Sequence, residues 1–245
     1  GQLVPTQEVD SLKQIFENST NDSIKSEILG QMYDLMRMED PNMAQAHLDW
    51  ADGFISKSTC DCCPITQVNN WAIFHFQNGE LKKAEAAFLE VIASHEVRPC
   101  GQNLLMSAYL GIGDLYRTMG DMVKAVEYTS KCTSEALAQS SDKYLLAAQN
   151  NLGIIYFALK DYPQARKYYG EALEVARRSG KERQVATIQL NIGNILFTEG
   201  NFEAALIAYQ EPLVQAERMR DSIRLPSRYI NVGNAYYGLG KLDLA

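Results

Sequence analysis

The sequence lacks most of what catalysis or membrane insertion needs. No apolar run reaches the length of about 18 residues that a membrane-crossing helix requires, and the opening residues do not read as a secretory leader. There are three histidines, His47, His75 and His95, in three different segments. No paired-histidine motif, Ser-His-Asp arrangement or phosphate-cradling loop accompanies them. Gly111-Ile112-Gly113 lacks the third glycine of a dinucleotide fingerprint, because Tyr116 stands in its place. The sequence therefore predicts no enzyme and no cofactor. Positive charge is also short: 23 Lys and Arg against 30 Asp and Glu give a net charge of −7. That argues against nucleic acid as a direct partner, since a phosphate backbone selects for basic patches.

What is present is a repeat. Asn150 to Leu173 reads as two short helices joined by a turn at Asp161-Tyr162-Pro163. Leu152, Gly153 and Tyr156 share one face of the first helix, and Ala165, Tyr169 and Ala172 share one face of the second. Gly153 and Ala165 are small where the helices would touch. Such a hairpin has one apolar face and needs neighbours of its own kind to cover it. Gly113, Gly153, Gly193 and Gly233 stand 40 residues apart, each opening a copy of the same pattern. Fainter copies begin at Trp71-Ala72 and at Leu29-Gly30, the latter losing the pattern at Asp40-Pro41. Pro212 falls inside one second helix and should bend or end it.

The pattern L-G-x2-Y, a turn glycine, then A-x3-F/Y-x2-A resembles the tetratricopeptide repeat family over roughly residues 24–245. The period of 40 resembles the longer-helix class found in spindle-orientation scaffolds and bacterial signalling proteins. The opening, carried by Asp10, Ser11, Leu12, Lys13, Asn21 and Asp22, resembles the N-terminal segment of tetratricopeptide sensor proteins of Bacteroidetes-type bacteria. The resemblance implies an all-α, right-handed solenoid of antiparallel helix pairs that binds a protein or peptide partner in a concave groove. It also implies a sensor or regulatory region on the exported or periplasmic side of a bacterial membrane, with the cytoplasm as the alternative.

One elongated solenoid is expected over 1–245. Its parts are an N-terminal helix (1–22), a divergent repeat (23–64), four repeats (65–101, 102–141, 142–181, 182–221) and a truncated last repeat (222–245). The chain starts at Gly1 without an initiator methionine and stops inside a repeat, so the natural protein is expected to continue. The apolar face left bare in the last repeat makes self-association into a homodimer the alternative function.

Ser58 to Gln67 reads as a loop carrying Cys60, Cys62 and Cys63, and His95 to Gly101 as another. The three thiols could be free, be bridged, or hold a soft metal with Cys100 or His95, although C-x-C-C matches no standard zinc spacing. Five cysteines leave at least one unpaired within a single chain. Arg177, Arg178, Lys181 and Arg183, echoed by Arg218, Arg220, Arg224 and Arg228, form either a solvated edge or an anion site.

The stripe opposite the packing face of each first helix is rich in small residues and amides. Asn70, Asn151, Asn191 and Asn231 recur at one position, with Asp114, Asn194 and Asn234 one turn further on. Each amide offers a donor and an acceptor, which suits a peptide backbone. These residues either line the partner groove or satisfy local helix ends and water. Phe76, Phe157, Phe197 and Tyr237 recur nearer the packing face and read as core between repeats.

Overall fold

The computed structural model describes residues 4–37, 41–56, 60–97 and 100–244, and among them the chain forms twelve helices and no strand. They are α1 (Val4–Asn18), α2 (Asp22–Arg37), α3 (Pro41–Ile55), α4 (Cys63–Gln77), α5 (Leu81–Val97), α6 (Gln102–Met119), α7 (Met122–Ala138), α8 (Asp142–Ala158), α9 (Tyr162–Arg178), α10 (Glu182–Thr198), α11 (Phe202–Arg218) and α12 (Leu225–Gly238). The fold is an all-α helical repeat. Asp40 and Ser58, named in two of the expected breaks, lie outside the described residues. The chain divides into two compact units, Gly1–Glu135 and Ala136–Ala245.

Three local expectations are corrected. α4 already begins at Cys63, inside the expected loop, because Pro64 sits in its first turn, where a missing N–H costs nothing. α5 runs on through His95 to Val97. α11 continues six residues beyond Pro212 to Arg218. Burial of Pro212 and Ala216 on the same side opposes the lost backbone hydrogen bond.

In the second unit each hairpin is closed by the same devices. Asp161 caps α9 by accepting from the Gln164 N–H (3.1 Å), and Asn201 caps α11 by accepting from the Ala204 N–H (3.2 Å). The left-handed residue of the turn is Gly200 between α10 and α11, but Lys160 (φ 61°) between α8 and α9. Gly153 faces the ring of Tyr169, and Gly193 that of Tyr209. A Cβ at either glycine would come within 2.5 Å or less of the ring. The glycines thus make room for a tyrosine, which is buried to 2% exposure in both cases. Arg178 at the end of α9 pairs with Asp142 at the start of α8, and Arg218 at the end of α11 with Glu182 at the start of α10, 2.8 Å apart. Gln149 and Gln189 repeat a third tie, to Glu171 and Glu211 of the partner helix. The exposed ion pairs add little stability; they mark where the helix ends meet.

Phe157 and Phe197 pack on Tyr162 and Phe202, the first residues of α9 and α11, with centroids 5.8 and 5.2 Å apart. That contact lies within a hairpin, where core between repeats was expected. Tyr237 at the same position is 70% exposed.

The first unit is built differently. Phe16, Leu29 and Met32 are fully buried in one cluster with Val9 and Ala51. Helix α2 packs on α1, α3 and α4 alike. Its contact with α4 is polar: Ser26 bonds Thr66, and both are buried. Gln67 donates to the Leu48 carbonyl (2.8 Å) and to Asp52 (3.0 Å). Disulfides join Cys60 to Cys63 and Cys62 to Cys100, while Cys132 is free and buried. A bridged sulfur offers no thiolate, so the metal reading of Cys60, Cys62 and Cys63 is withdrawn.

Candidate functional site

The amide stripe has different fates in the two units. In the first it is closed. Asn70 is only 2% exposed, and its amide donates to the Leu29 carbonyl (3.5 Å). α2 lies across this face of α4, so Asn70 is removed from the candidate groove. Asp114 is half-buried and holds Arg117, one turn on in its own helix, at 2.6 Å. Its charge is already neutralised there. Gly111, at the Asn70 position in α6, lies against the Phe88 ring. His75 is not the core histidine its position suggested. It is half-buried, stacks on Trp71 and bonds Glu80. Its hydrogen bond, after that of Lys83, holds the Glu80 carboxyl below the usual range.

In the second unit the stripe is open. Asn151 and Asn191 are the tenth residues of α8 and α10, counted from Asp142 and Glu182, and α8 packs on α10. Both are partly exposed, as is Asn231 in α12, and among the described residues their side-chain amides make no hydrogen bond to the protein. Asn194 accepts a hydrogen bond from Tyr209 (2.9 Å) and keeps its NH2 group free to donate. Asn234 is exposed. The structure therefore retains Asn151, Asn191, Asn194, Asn231 and Asn234 on one helix row.

Two clefts adjoin this row. The larger, about 440 Å³, lies among α9, α10 and α11 and is lined by Arg177, Lys181, Val185, Val214 and the Arg218–Glu182 pair. The smaller, about 50 Å³, lies where α10, α11 and α12 meet. Arg183, Arg224 and Arg228 point to it, with Asp221 as its one carboxylate, and Pro212, Ala216 and Met219 form apolar wall. Arg224 pairs with Asp221 at 2.6 Å. Among the described residues Arg183 and Arg228 have no carboxylate partner. Burial, and then the charge of Arg224, hold the Arg228 guanidinium below its ordinary value.

Helices α10, α11 and α12 thus bring together arginines that stand 41 and 45 residues apart in sequence (224 − 183, 228 − 183). The even spacing of basic residues gave no way to separate Arg178 and Arg218, which close hairpins, from Arg183 and Arg228, which do not. No described helix is long and apolar enough to cross a membrane.

A comparison with curated proteins finds no match. Among solved structures, BtubC (BKLC) from P. vanneervenii is 21% identical over 100% of this chain and 87% of its own, with a TM-score of 0.65. The Signal Transduction ATPase with Numerous Domains protein with a tetratricopeptide repeat sensor from Pyrococcus horikoshii is 18% identical, with a TM-score of 0.70. It matches 99% of this chain, which spans only 39% of that protein. NprR in complex with its cognate peptide NprX is 14% identical over 98% of this chain and 71% of its own, with a TM-score of 0.65. At these identities the likeness is one of fold. Two models described as tetratricopeptide repeat match residues 107–138 and 144–213. With the 40-residue period, the paired helices and the glycine–tyrosine contacts, these matches establish that the chain carries tetratricopeptide repeats.

Proposed function

We propose that the second unit is a peptide-binding module, in which the open amide row of α8, α10 and α12 holds an extended segment of a protein partner. The observation that carries this is the trio Asn151, Asn191 and Asn231, partly exposed and without protein partners at equivalent places. Amides that were only filling helix–helix contacts would be paired, as Asn70 is. Packed helices lie about 8–10 Å apart, and an extended chain advances about 3.3 Å per residue. One asparagine per repeat therefore meets roughly every third peptide unit.

Two of the structures similar in fold support a sensing role: one is named as a sensor, and another is bound to its cognate peptide. The same role in a larger signalling protein is our reading for this chain. The two disulfides favour an oxidising compartment.

The test is selection of displayed random peptides on the oxidised chain, followed by affinity measurement on Asn191→Ala/Asn231→Ala. The variant should keep its helical circular dichroism and bind selected peptides at least about tenfold more weakly, for two or more lost hydrogen bonds. Unchanged affinity removes the amide row from the function.

A further inference from the structure

The geometry points to the small cleft among α10, α11 and α12 as a carboxylate subsite, so that the peptide held by the amide row is an acidic one. The identification of the ligand as a peptide rests on the function proposed above; the anion site itself stands on the arginines.

Three guanidinium groups converge there on one carboxylate, in a chain whose overall charge is −7. Composition alone makes such a cluster improbable, and the neighbouring basic residues show the contrast. Arg178 and Arg218 each have an acidic partner at the far end of their hairpin. Arg166 likewise has Glu199. Arg183 and Arg228 have none among the described residues, and Arg224 shares Asp221. The cleft therefore carries two uncompensated positive charges against an apolar wall of Pro212, Ala216 and Met219. Arginine forks match a carboxylate in two parallel hydrogen bonds, and the poorly solvated wall strengthens them. An arriving anion also relieves the repulsion between Arg224 and Arg228.

The position joins the cleft to the amide row. Arg183, Thr187 and Asn191 lie at i, i+4 and i+8 on α10, one face of the helix. The rise from Arg183 to Asn191 is about 12 Å, from 1.5 Å per residue. A peptide advancing about 3.3 Å per residue thus places an acidic residue, or its own C-terminal carboxylate, three or four positions from the unit bonded to Asn191. On α12, Arg224, Arg228 and Asn231 run the same way.

The experiment uses the full oxidised chain and two N-acetylated Ser/Ala decapeptides, one carrying two adjacent glutamates and the other glutamines in their place. Binding is read by fluorescence anisotropy. The arginine Nε–Hε resonances of Arg183 and Arg228 are followed by NMR. The glutamate peptide should shift both resonances and bind at least about tenfold more tightly than the glutamine peptide, with the advantage fading as salt rises. Arg183→Gln/Arg228→Gln should abolish the difference. Asp221→Asn keeps a side chain that can cap α12 but frees Arg224, so it should bind the glutamate peptide more tightly; a purely structural role for these residues would not reverse the sign.

Equal binding of the two peptides overturns the subsite and leaves the amide row standing. Resonance shifts that survive in Asn191→Ala/Asn231→Ala, with no binding of the glutamine peptide, overturn the amide row and leave the subsite. Shifts produced by inorganic phosphate but not by the glutamate peptide overturn the carboxylate assignment. If neither ligand moves the resonances, no anion site exists there.

Discussion

Tyr209 lays its ring on the bare backbone of Gly193 and donates its hydroxyl hydrogen to Oδ1 of the adjacent Asn194, 2.9 Å away. One side chain of α11 thus fixes both the spacing of the hairpin and the orientation of a groove amide. Burial pushes the Tyr209 hydroxyl up to about 12, so it remains a donor throughout the physiological range.

Gly193→Ala should therefore be costly. Its Cβ would fall 2.4 Å from Cε1 of Tyr209, and the helices would have to part or the ring turn aside. Overpacking of this kind costs about 1–3 kcal/mol, measured as a lowered urea midpoint. Gly170→Ala, where nothing lies within 4 Å of the added atom, should be neutral or slightly stabilising, because alanine is the better helix former.

Acid should weaken the first unit through His47. Burial pushes its imidazole from 6.5 down to about 4, between Tyr33 and Trp50. The unfolded chain takes up this proton below about pH 6.5, the folded one only below about pH 4. Stability is full above the first value and falls between the two by about 3 kcal/mol. Comparing His47→Phe with the parent chain from pH 7 to pH 4 isolates this loss. Parallel curves would show that His47 does not cause it.

The cysteines give a chemical count. The folded, oxidised chain should resist iodoacetamide, because Cys132 is buried and its thiol is pushed up to about 12 by burial and by Glu135. Mass spectrometry should find one adduct after unfolding and five after unfolding with reductant, for the five cysteines present. Chain-entropy estimates put the Cys62–Cys100 bridge, separation 38, at about 4 kcal/mol and the Cys60–Cys63 bridge, separation 3, at about 2 kcal/mol. Cys62→Ser/Cys100→Ser should accordingly lower non-reducing urea stability more than Cys60→Ser/Cys63→Ser does.

The sequence disclosed the hairpins because their determinants are local. Leu152, Gly153 and Ala165 lie within one turn or one hairpin of the residues they touch, and the pattern recurs every 40 residues. It did not disclose that Asn70 is buried, because what covers Asn70 is α2, about forty residues earlier and belonging to no regular repeat. The cysteine pairing was equally hidden. Cys62 meets Cys100 only because α4 starts earlier, and α5 runs longer, than Pro64 and the His95 segment suggested. Arg183 and Arg228 looked like any solvated edge until the end of α11 brought them to one cleft.

The tyrosine-over-glycine contact recurs with a fixed offset of 16 residues, 153 to 169 and again 193 to 209. Each block of forty carries both halves of that fit within itself and borrows neither from the next. The array is therefore modular: a duplicated copy of residues 142–181 would arrive with its own joint already made, and a longer binding row needs only another block.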